Sequence, residues 1–245
     1  LTIASIIGHS SMISQALYPK LLSGGSHDHV NQNLIRLFYF AIPLLGVVIL
    51  FSKPALFVLN PIYDGLSVIV IFLAIRTFFY VINAIFYQIL LGIETVDENY
   101  NTAFTKFLRS KLFTIPTIQN IHYVCYIVIL VTVIFFLHEN QYEIKELILI
   151  WSIISASLSI PFVIFTGILV SKSVKFKIPY KKIVIYGFVT LLMAITYFMI
   201  SDYVITYDQN FFVMMPTVFF MLIICALVYV VVTYLLDSST KLFCN

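Results

Sequence analysis

Mostly apolar runs, each long enough to cross a bilayer, recur along the whole chain. About 20 such residues span the hydrocarbon as a helix. In lipid only helices and closed barrels satisfy their own backbone groups, so runs of this length leave little choice of fold. Six complete runs are read, at Leu34–Leu59, Leu66–Leu91, Leu112–Leu137, Leu147–Val170, Ile183–Tyr203 and Phe211–Leu236. A truncated seventh covers Leu1–Tyr18. The connections are too short to fold as separate soluble domains. The expected fold is all-α, a polytopic membrane helix bundle.

Composition agrees with that reading. Hydrophobic residues make up 61% of the chain and charged residues 10%, against about a quarter charged in a soluble domain. A net charge of +3 gives no reason to expect a nucleic-acid partner. Cys125, Cys225 and Cys244 are scattered, and form neither a disulfide framework nor a CxxC metal pattern. The chain starts at Leu1, inside an apolar run and without an initiator methionine. It is therefore expected to be the C-terminal part of a longer protein.

The basic residues set a direction. Lys20, Arg36, Lys106, Arg109, Lys111, Lys172, Lys175, Lys177, Lys181, Lys182 and Lys241 fall on alternate connections and the tail. The opposite connections carry only Lys53 and Lys145. Cytoplasmic loops are enriched in lysine and arginine, so the first set and the C-terminus are expected inside. The lysines of SKSVKFKIPYKK act either as a topology determinant or as a contact for anionic headgroups. Asn101–Leu112 reads as an amphipathic surface helix or as the start of the next span. Glu94, Asp97 and Glu98 read as a solvated helix end.

Arg76 belongs to neither set, because it lies within a span. Ten residues in from Leu66 is about 15 Å, the middle of the hydrocarbon. An arginine there costs about 2.5–3.5 kcal/mol on insertion scales and is expected to face protein or water. Tyr80, Asn83 and Tyr87 follow at +4, +7 and +11, which places all four within about 60° on the helix wheel. Such a stripe suits the wall of a hydrated cavity. A buried interhelical hydrogen-bond seam is the alternative, with Arg76 tied to carbonyls or an acid elsewhere.

The next span carries a second stripe, TIPTIQNIHYVCY, in which Gln119, Tyr123 and Tyr126 share a face. Pro116 frees a carbonyl there. His122 is a candidate proton carrier for coupling, or a plain hydrogen-bond partner. The first run holds a third cluster, His9, Ser10, Ser11, Ser14 and Gln15, whose small hydroxyls allow close helix packing. Pro43, Pro161 and Pro216 lie inside other spans, as in proteins that rock between states, though static bundles contain such prolines too. No Walker A, HExxH or GxSxG motif is present, and no pair of carboxylates lies deep in a span. No catalytic residue, metal site or cofactor is expected, and the chain is not read as an enzyme.

The order of several short motifs resembles a known family. Pro19-Lys20-Leu21, the early Pro43, Asn60-Pro61-Ile62-Tyr63 and Leu90-Leu91-Gly92 stand where polysaccharide and oligosaccharide-lipid flippases carry a P-K-L turn, a proline, an F-G-x-x-Y-like turn and an L-L-G helix end. The glycine of that turn is absent. ETVDENY and RSKLFTIP look like archaeal members of this group, which belongs to the multidrug/oligosaccharidyl-lipid/polysaccharide exporter superfamily. The resemblance covers residues 1–170 and implies the second lobe of a two-lobe transporter, one partial and four complete spans. Residues 171–245 would then add a basic loop and two appended helices, with the N-terminal lobe missing.

The implied function is translocation of a polyprenyl-phosphate-linked oligosaccharide or polysaccharide precursor by alternating access, in a multi-pass cell-membrane protein that is monomeric at full length. Partners would be the anionic lipid-linked glycan and membrane lipids. Arg76 would face the phosphate, with Tyr80, Asn83, Tyr87, Gln119 and Tyr123 toward the sugars. A cation-coupled multidrug exporter or a membrane-embedded enzyme of glycan or lipid synthesis are the alternatives. The exporter calls for acids in its spans, and the enzyme for acids or metal ligands at a membrane face.

Overall fold

The structure is a computed structural model that describes residues 2–12, 21, 27–93, 105, 108, 110–139, 141–174 and 178–237. It is an all-α bundle, without strands among the described residues. The helices are α1 (Thr2–Ser5), α2 (His27–Leu59), α3 (Ser67–Gly92), α4 (Lys111–Glu139), α5 (Ile144–Ser173), α6 (Tyr180–Val204) and α7 (Phe211–Leu236). Six of them, α2 to α7, are long and apolar enough to cross a membrane. The chain is a multi-pass membrane protein.

Local chemistry explains where the helices start. Asn60 accepts a hydrogen bond from the Ile62 N–H, and Pro61 opens the 3-10 turn Pro61–Leu66 that leads into α3. Glu143 and Glu146 form a reciprocal capping box at α5, which satisfies donors that the first turn leaves orphaned. Asn210 accepts from the Phe212 N–H at the start of α7. The 33-residue α2 is about 50 Å long and overshoots a hydrocarbon core of about 30 Å. It begins at His27, seven residues before the expected Leu34, and Arg36, counted above with a connection, lies in its third turn.

Successive long helices reverse direction. Gly65 approaches Lys145 at one end of α3 and α5, and Asn83 bonds Thr166 further along, so these two run parallel. The Tyr39–Tyr186 and Phe51–Tyr197 ring contacts make α2 and α6 parallel. Tyr229 bonding back to Tyr39 fits an antiparallel α7. Strict alternation of spans is what the charge pattern requires.

Packing divides into two cores that share α2. Ile7, Leu34, Leu37, Leu73, Ala74, Ile85 and Ile89 centre the first, where α1, α2, α3 and α5 meet. Phe51, Met193, Met214, Met221 and Cys225 centre the second, among α2, α6 and α7. Helix α4 is held much less: Val124, Val128, Val131 and Phe135 are exposed along one apolar face of it.

Two expectations change. Over the described part of Leu1–Tyr18 the chain is not one regular span: α1 passes into a 3-10 turn, Ile6–Ser11. Ser5, Ser10 and Ser11 each donate to the carbonyl three residues back, the local competition by which hydroxyls tighten a helix. Of the basic segment Lys172–Lys182, Lys182 lies in the first turn of α6 and is ion-paired with the fully buried Asp237 just past the end of α7, and the Tyr186 hydroxyl donates to the same carboxylate at 2.9 Å. That lysine closes the α6–α7 pair. Pro19, Lys20, Lys106, Arg109, Lys175, Lys177, Lys241, Ser14, Gln15, Glu94, Asp97, Glu98, Phe104, Phe107 and Cys244 lie outside the described residues.

Candidate functional site

The two polar stripes come together. Helices α3, α4 and α5 enclose a chamber of about 310 Å³, lined by Arg76, Phe79, Tyr80, Asn83, Gln119, His122, Tyr123, Tyr126, Ile127, Ser155, Ser159, Phe162 and Val163. Six of the seven residues given a substrate-binding or coupling role from sequence are in this wall, with Tyr126 of the same stripe beside them. Tyr87 is not in it. It stands one turn beyond, with its ring edge-on to Phe162 and its hydroxyl oxygen buried without a hydrogen-bond partner among the described residues.

Arg76 is half-buried at the tenth position of the 26-residue α3. Among the described residues no carboxylate lies within ion-pair distance of it; the ion pairs there are Lys53–Asp64 and Lys182–Asp237. Its guanidinium carbon stands 6.0 Å from the centroid of the Tyr126 ring. Arg76 and Tyr80 also line a second hollow of about 420 Å³ on the adjoining face of α3, against Thr2, Ala4 and Ser5 of α1. The arginine thus stands between two openings.

The stripe on α3 is not uniform along its length. Tyr80 is 61% exposed. Asn83, only 4% exposed, accepts a 2.7 Å hydrogen bond from Thr166 of α5. Cavity and seam therefore both occur on one face: Arg76 and Tyr80 look into open space, whereas Asn83 stitches α3 to α5. The close approach of these helices is helped by Gly167, where a Cβ would sit 3.2 Å from the Phe86 ring.

On α4, Gln119 donates to the Tyr123 hydroxyl at 3.1 Å, the i, i+4 pair expected of a shared face. His122 lies flat on Phe162, with centroids 4.0 Å apart and planes 13° from parallel. Tyr126 is bridged to α5: the Trp151 indole N–H donates to its hydroxyl at 2.6 Å, and Ser155 lies 3.0 Å from that hydroxyl. These contacts fasten an otherwise exposed helix.

The α5 contribution, Ser155, Ser159 and Phe162, is not among the residues that sequence reasoning finds. A signal exists: Ser152, Ser155, Ser159, Phe162 and Thr166 fall within about 80° of each other on a helical wheel. Small hydroxyls inside a long apolar run look like simple packing, which hides the stripe. Among the described residues no group of three His, Cys, Asp or Glu side chains is gathered as a metal site.

The wall offers a fixed cation, side-chain amides, ring faces and hydroxyls. Ser159 gives its proton to the Ala156 carbonyl at 2.6 Å, leaving its lone pairs to accept. An anion carrying hydroxyl groups complements that set. No family model matches the chain, and neither the curated proteins nor the solved structures include a match.

Proposed function

We propose that the chain is part of a membrane transporter that moves a phosphate-bearing, lipid-linked sugar past Arg76 by alternating access. The observation that carries this reading is a guanidinium with no carboxylate partner among the described residues, set beside a 310 Å³ chamber halfway along an apolar helix. A permanent charge there is costly unless water or an anionic ligand meets it. In a site of low dielectric its attraction for a phosphate is stronger than in water.

Size limits the cargo's bound part. Small-molecule pockets run to about 300–1,000 Å³, and this chamber lies at the lower bound. It suits a phosphorylated sugar head and leaves a polyprenyl tail to the lipid outside. Tyr80, Gln119, His122 and Tyr123 would contact the sugar, and the lone pairs of Ser159 would take its hydroxyl protons. The resemblance to oligosaccharide-lipid flippases points the same way. Among the described residues no acid lines the chamber, which favours an anionic cargo over the cation-coupled exporter. In this reading the protein lies in the cell membrane with its C-terminus in the cytoplasm, as the lysine bias implies.

Transport in reconstituted vesicles tests it. Translocation of a polyprenyl-diphosphate sugar is expected to fall at least tenfold in Arg76→Ala, since charge-assisted bonds contribute about 1.5–3 kcal/mol. Arg76→Lys keeps the charge without the fork and should retain part of the activity. Normal transport in Arg76→Ala would end this reading.

A further inference from the structure

Arginine has a long side chain, and a mid-membrane guanidinium without a carboxylate needs something else to fix its aim. The Tyr126 ring centroid lies 6.0 Å from the Arg76 guanidinium carbon, at the outer reach of a cation–π attraction, and His122 stands on the same chamber wall. The tyrosine ring is itself held. Trp151 donates to its hydroxyl at 2.6 Å, and Ser155 lies 3.0 Å away. Trp151 is anchored in turn, being packed against the first core. A chain of contacts therefore runs from the core through Trp151 to Tyr126, and ends at the charge.

We infer that Tyr126 is a positioning residue: clamped by Trp151 and Ser155, its ring face steadies the Arg76 guanidinium at the chamber and yields it to an incoming anion. This rests on the reading of Arg76 as an anion site. The ring quadrupole offers a weak negative surface, enough to orient the guanidinium but too weak to compete with a phosphate. A carboxylate in the same place would neutralise the arginine and occupy its fork. An aromatic ring keeps it aimed and available.

The same geometry supplies a reporter. Trp151 is the single tryptophan of this chain, and its N–H is bonded to the residue in question. Inorganic diphosphate titrated into the reconstituted chain is expected to give a saturable change in Trp151 emission. The discriminating pair is Tyr126→Phe and Tyr126→Leu. Both lose the bonds to Trp151 and Ser155, and both should shift the emission of the unliganded protein. Only phenylalanine keeps a ring for the arginine. Diphosphate affinity, measured by calorimetry, should fall about threefold in Tyr126→Phe, whose ring is no longer clamped, and about tenfold in Tyr126→Leu, which has no ring.

If Tyr126 merely braces α4 against α5, the two variants weaken binding equally, and the inference is overturned. It is also overturned if Tyr126→Leu binds as wild type while Arg76→Ala loses binding, a result that leaves the anion site standing. Unchanged binding in Arg76→Ala, or no saturable binding in wild type, overturns the anion site itself.

Discussion

Pro43 has no N–H to give, so the Tyr39 carbonyl one turn earlier in α2 loses its helical partner. The Tyr229 hydroxyl of α7 donates to that carbonyl at 2.7 Å, and Tyr229 is 5% exposed. A helix break is thus satisfied by a neighbouring helix, as the bilayer demands of any freed backbone group. Tyr229→Phe should destabilise the protein by about 1–2 kcal/mol in SDS unfolding from mixed micelles. In a Pro43→Ala background the cost should largely vanish, because the restored backbone N–H donates to the Tyr39 carbonyl itself. Equal costs in both backgrounds would contradict the pairing. At this scale the sequence shows which residues are unusual but not their partners. The Arg76 stripe is legible because periodicity alone aligns it. The burial of Asn83 is not, since Thr166 lies 83 residues away in the chain and only the packing of α5 brings it near.

Helix α2 shows how an element is placed by its smallest residue. A Cβ on Gly46 would lie 2.4 Å from Thr190 Cγ2 and 3.1 Å from Met193 Cε, so glycine sets the approach of α2 to α6. Gly46→Ala should cost about 1–3 kcal/mol as the helices part or Thr190 turns. Gly187, where an added Cβ would meet nothing within 4 Å, is the control: Gly187→Ala should remain within about 1 kcal/mol of wild type. Equal stability of the two variants in thermal unfolding would remove Gly46 from that role. Helix number and order are legible because a 20-residue apolar run has one physical outcome in lipid. Their ends are less so: polar residues before Leu34 continue α2 to His27, and hydroxyl-to-carbonyl bonds turn the described part of the first run into a 3-10 segment. Asp237 also escapes notice in the sequence, because its importance comes from Lys182 and Tyr186 folding over it.

Over the whole molecule, α2 joins two cores, α3 and α5 form the packed wall of the chamber, and α4 closes it through a few side chains. Rigid packing on one side and a lightly held helix on the other suit a site that opens and closes. Water and anions must reach that chamber in the middle of an apolar bundle if Arg76 is to meet its cargo. The most direct measurement is the reactivity of Ser159→Cys toward a charged, membrane-impermeant thiosulfonate, in a chain whose Cys125, Cys225 and Cys244 are replaced. A cysteine at Val128, on the exposed apolar face of α4, serves as the lipid-facing comparison. The expected result is rapid modification at position 159, slowed by inorganic diphosphate, with position 128 unreactive. No reaction at position 159 from either side of the membrane, or a rate indifferent to diphosphate, would contradict a hydrated anion chamber.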